Sequence, residues 1–75
     1  MDVVKSKLWL WEENGVFVDG GAEKYVVFRP SKSGTHSEVD SAYDRLDVAL
    51  CRALYLARGP GRHAAEAMRL AEELR

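Results

Sequence analysis

The residues best suited to chemistry gather in one stretch, Ser33-Gly34-Thr35-His36-Ser37. A glycine with hydroxyl neighbours just ahead of a helix can cradle a phosphate on the backbone amides of the helix N-terminus. The Walker pattern needs Gly, four residues, then Gly-Lys-Ser/Thr; here Lys32 precedes the glycine instead of following it. A flexible surface loop is the stronger reading. His36, Glu38 and Asp40 alternate and could be drawn as metal ligands, but a zinc deaminase would add Pro-Cys-x-x-Cys downstream. Cys51 is the sole cysteine, and acidic residues leading into a helix start account for the triplet. A nucleophile–base pair would have to join Cys51 to His36 or His63. Cys51 sits among Val48 and Tyr55 on a helix face, not at a helix start where its pKa would fall. No catalytic residue, cofactor site or metal set is expected, and the chain reads as a non-enzyme.

A second group is basic. Arg52, Arg58, Arg62, His63 and Arg69 bias the C-terminal third, offset within that span by Glu66. Such a patch could contact phosphates while Trp9, Trp11 and Tyr25 stacked on bases, with Arg52, Arg58, Arg62 and His63 as the candidate contacts. Over the whole chain, however, eleven basic residues meet twelve acidic ones, for a net charge of −1. A dedicated nucleic-acid binder shows a basic excess, so this stays the alternative reading.

These side chains are placed by a helix expected over 41–58, SAYDRLDVALCRALYLAR. At 3.6 residues per turn Tyr43, Leu46, Leu50, Ala53, Leu54 and Ala57 share one stripe. Ser41 and Asp44 have the spacing of a capping box, with Asp in place of Glu or Gln. Acidic residues crowd the start and Arg52 and Arg58 the end, as the helix dipole favours. Gly59-Pro60-Gly61 stops it. Val48, Cys51 and Tyr55 lie well round from the stripe and need a second cover. A shorter helix over 62–74 lines up Ala64, Ala67, Met68, Ala71 and Leu74.

Ahead of the helix, 4–12 reads as a first strand. Asn14-Gly15 between apolar runs signals a type I′ hairpin turn, and 15–19 returns as a second strand. Gly20-Gly21-Ala22-Glu23 is a looser turn, and 24–29 a third strand, closed by Pro30. A two-residue turn pairs Glu13 with Val16 and Trp11 with Val18. That puts Trp9, Trp11, Val16 and Val18 on one face, and Leu8, Leu10 and Phe17 on the other. A half-wetted antiparallel sheet alternates apolar with polar residues; this one is apolar on both faces, and the long helix covers only one. An apolar sheet face or the far side of the helix is therefore the expected interface, with Trp9, Trp11, Val18, Val48 and Tyr55 as candidates and a homodimer as the simplest assembly.

The run YVVFRPSKSGTHSEVDSAY, followed by ALCRALYLAR, resembles small uncharacterised proteins encoded by phages and prophages; the likeness covers residues 25 to 58 and implies an accessory gene product. The order of hairpin, third strand and helix is also similar to HicB-type antitoxin domains, without the Gly-Cys element that often follows their third strand and without a separate DNA-binding domain.

One domain over 1–75 is expected: an α+β fold with a three-stranded antiparallel sheet over 4–30, a loop over 31–40, the long helix and the shorter C-terminal helix. With a lone cysteine, no signal peptide and no run of ~18 apolar residues, it is expected in the cytoplasm, host cytoplasm if phage-encoded. The expected role is a non-enzymatic interaction protein without cofactors, homodimeric and able to bind a host protein, with no membrane partner and a small nucleic-acid-binding module as the alternative.

Overall fold

The computed structural model describes residues 9–21 and 23–74. The chain is α+β, in the order β1 (Trp9–Glu13), β2 (Val16–Gly20), β3 (Tyr25–Pro30), β4 (Ser37–Tyr43), α1 (Leu46–Arg58) and α2 (Ala64–Leu74). The strands form one antiparallel four-stranded meander in chain order. The sheet thus has one strand more than the sequence pattern suggests. Of the expected first strand, 4–8, and with it the facing of Leu8, lies outside the described residues, as do Ala22 in the second turn and Arg75.

The β1–β2 turn follows its residue types. Asn14 and Gly15 both take positive φ, 51° and 81°, as a type I′ turn requires. Asn14 also donates its side-chain amide to the Ala57 carbonyl at 3.0 Å, tying the turn to the end of α1. A Cβ on Gly15 would lie 3.1 Å from Pro30 Cγ, so both space and conformation select glycine. Glu13 faces Val16 and Trp11 faces Val18, the expected register.

The register then breaks. A bulge between Trp9 and Trp11 makes Leu10 the extra residue, and Trp9 faces Asp19. A bulge turns the residues beyond it onto the opposite face. Trp9 therefore leaves the Trp11 face and stacks on Phe17, ring centroids 4.3 Å apart. Leu10 packs against the core instead.

Residues 31–45 also depart from the expected loop and helix start. The segment Ser31–His36 is a hairpin loop, closed by Ser31 N–H donating to the His36 carbonyl at 2.8 Å and Gly34 N–H to the Ser31 carbonyl at 2.9 Å. Gly34 has φ 76°. The chain then returns as β4, pairing Ser37 with Pro30 through to Tyr43 with Tyr25, with a bulge opposite Val27/Phe28 at Asp40. The stretch SEVDSAY has little apolar alternation to announce a strand. It is held by the backbone ladder that β3 would otherwise leave unpaired. The Ser41–Asp44 capping box is consequently absent: the Ser41 hydroxyl donates to Asp40 at 2.7 Å and Asp44 accepts from Lys24 at 2.8 Å. Helix α1 begins at Leu46, with Arg45 in extended conformation at the N-cap and no side-chain cap. Its end is as expected, with Gly59 at φ 94° donating to the Tyr55 carbonyl at 2.8 Å.

Helix α1 lies across β2, β3 and β4, and α2 packs on α1. The core joins Val16, Val18 and Val27 of the sheet to Leu46, Ala49, Leu50, Ala53 and Leu54 of α1 and to Ala67 and Ala71 of α2. Tyr43 and Ala57, expected on the helix stripe, pack at its margin, Tyr43 from β4. The small Ala67 and Ala71 let α2 approach closely, so it packs within the chain. Met68, expected on the α2 stripe, is exposed, and Leu70 takes the inner position. No helix among the described residues is long and apolar enough to cross a membrane.

Leu50 is fully buried and, with Leu54, among the largest sealed side chains of the core. Leu50→Ala is expected to lower stability by about 3 kcal/mol, read as a lower urea midpoint. Val39→Ala, on the opposite face and 59% exposed, should shift it by less than about 0.5 kcal/mol.

Candidate functional site: the open face of the sheet

With both described helices on one side, the other side of the sheet presents Trp9, Phe17, Val26, Phe28, Val39 and Ala42. The pairings Phe17–Phe28 and Phe28–Val39 draw an apolar row straight across the strands. The row Trp9–Asp19–Val26–Ala42 runs beside it. Trp9, Phe17, Asp19, Phe28 and Ser37 line an open basin of ≈ 390 Å³. At the two edges of the face Trp9 is 46% exposed and Val39 59%.

Among the described residues, charges on this face are few and mostly acidic. Asp19 is half-buried in the basin and takes part in no ion pair or hydrogen bond among the described residues. Glu12 accepts from the Gly15 N–H at 3.0 Å. Lys24 is engaged by Asp44 at 2.8 Å.

The expected interface residues divide three ways. Trp9 is on the open face. Val18 is sealed, 0% exposed, and Trp11 packs half-buried against the core; the α1 side claims both, because the bulge separates them from Trp9. Val48 and Tyr55 stay exposed on the helical layer. There Val48 and Cys51 meet Ala64 and Met68 of α2, with Asp47, in a smaller groove of ≈ 210 Å³. Phe28, Val26 and Val39 carry most of the open face and were not singled out from the sequence. Phe28 was legible from its alternation with Val27; Val39 was hidden because its strand was.

Most of the basic residues are paired with carboxylates. Arg52 makes two bonds to Asp40, at 2.8 and 3.0 Å, and its guanidinium lies 5.4 Å from the centre of the Tyr55 ring. Arg58 bonds Glu13 at 2.7 and 2.9 Å and Glu66 at 2.7 Å. The Arg58 pairing holds the Glu13 carboxyl below its usual range, and the two carboxylates raise Arg58. Arg69 is held by Glu66 and Glu73. His63 donates from Nε2 to the Gly59 carbonyl at 2.8 Å, finishing the α1 terminus. Arg62 is exposed, with no ion pair among the described residues.

The hydroxyl-rich loop is no phosphate cradle, since a strand and not a helix follows it. Its side chains bond one another: Ser31 with Ser33 at 3.0 Å, Ser33 with Thr35 at 2.7 Å and Thr35 with His36 Nδ1 at 3.1 Å. Glu38 and Asp40 face Arg29, at 3.1 and 3.6 Å. Among the described residues no three His, Cys, Asp or Glu side chains are placed to hold a metal ion.

Asp40 is the hub of this polar edge. Its side chain is 7% exposed, and bonds from Arg52 and Ser41, with the nearby Arg29 charge, hold its carboxyl below the usual range against the opposing effect of burial. The bulge aims it at α1, so the pair pins the edge strand to the helix. No family model, curated protein or solved structure matches the chain.

A carboxylate with a depressed folded pKa contributes stability above its unfolded value of about 3.9, and that contribution is lost as pH falls through the folded pKa. Asp40→Asn is expected to cost about 1–2 kcal/mol at pH 7, discounted for the partly exposed Arg52. The gap from wild type should narrow below about pH 4, as read by urea denaturation at both pH values.

Proposed function

We propose that the chain is a non-enzymatic interaction protein that works by docking its open sheet face against another protein surface. The observation that carries this is the contiguous row of Phe17, Phe28 and Val39 beside the stacked Trp9, left uncovered by the described helices. Burying such surface is favourable at roughly 25 cal/mol per Å², and a large aromatic near the centre of the patch is the usual form of an interface anchor. A second copy of the chain and a host protein are both suitable covers. The resemblance of residues 25 to 58 to phage and prophage products fits an accessory role of this kind in the cytoplasm. The neutralised Arg52 and Arg58, and the acidic Asp19 and Glu12 beside the aromatics, weigh against nucleic acid as the ligand.

Phe28→Glu places a charge in the middle of the row without touching the core. The variant is expected to keep the wild-type far-UV dichroism and urea midpoint and to lose the association that wild type shows in sedimentation. Raising salt from about 0.05 to 0.5 M should change wild-type association little, where phosphate contacts would make it fall steeply. Undiminished association by folded Phe28→Glu would overturn the proposal.

A further inference from the structure

We infer that the occupant of the open face is a second copy of this chain, packed about a twofold axis along the Phe17–Phe28–Val39 row so that Lys32 of each copy meets Asp19 of the other. The inference rests on the open face being a docking surface and adds the occupant and its orientation.

Charge complementarity leads to it. Asp19 is a half-buried carboxylate among Trp9, Phe17 and Phe28, and an apolar surface closing over it would bury an uncompensated charge, which is strongly unfavourable. A partner that brings a cation there is the best match. Among the described residues Arg29, Arg45, Arg52, Arg58, Arg69 and Lys24 are already paired with carboxylates. Lys32 and Arg62 are exposed and make no ion pair or hydrogen bond among the described residues. Arg62 joins the two helices and belongs to the helical layer. Lys32 is on the sheet, in the loop that leaves β3 at Pro30 and returns at Ser37, a residue that lines the basin itself.

The register sets the geometry. Asp19, with Trp9 and Val26, lies on one side of the Phe17–Phe28 row, and Pro30 with Ser37 lies on the other. A twofold axis along that row exchanges the two sides. It lays Asp19 of one copy over the Gly15 end of its partner's β2, beside Pro30 of β3, from which Lys32 is two residues away with a flexible four-carbon stem to close the remaining gap. Side chains of the two faces then interdigitate with the sheets about 10 Å apart, strand directions nearly aligned. The loop presenting Lys32 is held in shape by its internal hydrogen bonds, so little order is lost on docking. A face of four strands spaced about 4.8 Å apart is at the small end of stable interfaces, so the dimer is expected to dissociate on dilution.

Charge reversal tests the arrangement. Sedimentation of the wild type should show a concentration-dependent species near twice 8.4 kDa. Asp19→Lys and Lys32→Asp should each weaken self-association at least tenfold, with far-UV dichroism unchanged. An equimolar mixture of the two variants should restore it, because every cross-pair is again opposite in sign. Single reversals without effect, or no restoration on mixing, in a dimer that Phe28→Glu still abolishes would overturn the Lys32–Asp19 orientation and leave the docking face standing. A dimer indifferent to Phe28→Glu would overturn both. A wild type that stays monomeric at every concentration would overturn the second copy as occupant.

Discussion

A sheet that is apolar on both faces needs two covers, and the helices described here supply one. That imbalance governs the molecule. Helix α1 must carry the covered side almost alone, and it does so with a tight run of Leu46, Ala49, Leu50, Ala53 and Leu54 over Val16, Val18 and Val27. Helix α2 adds Ala67 and Ala71 to the same core from the flank of α1. It thickens the helical layer and does nothing for the far face. In a chain of this length a single core is only marginally sufficient, so the aromatic row that the described helices leave bare is apolar surface the chain still has to place.

Two β-bulges decide what each face carries. At Leu10 the bulge sends Trp9 to the open side to stack on Phe17, and leaves Trp11 facing Val18 on the covered side. At Asp40 it turns a carboxylate of an edge strand toward α1, where Arg52 closes on it with two bonds and Arg29 approaches from β3. The first bulge assembles the basin around Asp19. The second fastens the edge strand to the helix that holds the core.

Much of this was legible in the residues. Asn14-Gly15 announced the hairpin and its register, the apolar stripe and Gly59-Pro60 announced α1, and the doubled apolarity of the strands announced a face in need of cover. The bulges were not legible, because a period-2 pattern carries no mark of an inserted residue when both faces are apolar. Hence Trp9 and Leu10 exchange sides relative to the simple alternation. Strand β4 was not legible for a different reason. Its sequence SEVDSAY has the Ser and Asp of a helix start, and what makes it a strand is the vacant edge of β3, a tertiary demand that local pattern does not record. The same misreading hid Val39, and it made the Ser31–His36 hairpin loop look like a helix lead-in. The pairing of Arg52 and Arg58 was not legible, because the carboxylates that neutralise them, Asp40 and Glu13, are remote in the chain.

The claim that the open face closes in an assembly is tested most directly at Trp9. With Trp11→Phe, Trp9 is the single indole of the chain and reports on that face alone. The account predicts that its emission shifts to the blue, and that its acrylamide quenching falls, as protein concentration rises through the range where the solution mass doubles. A mass that doubles while Trp9 emission and quenching stay constant would contradict it, and would place the contact on the helical layer instead.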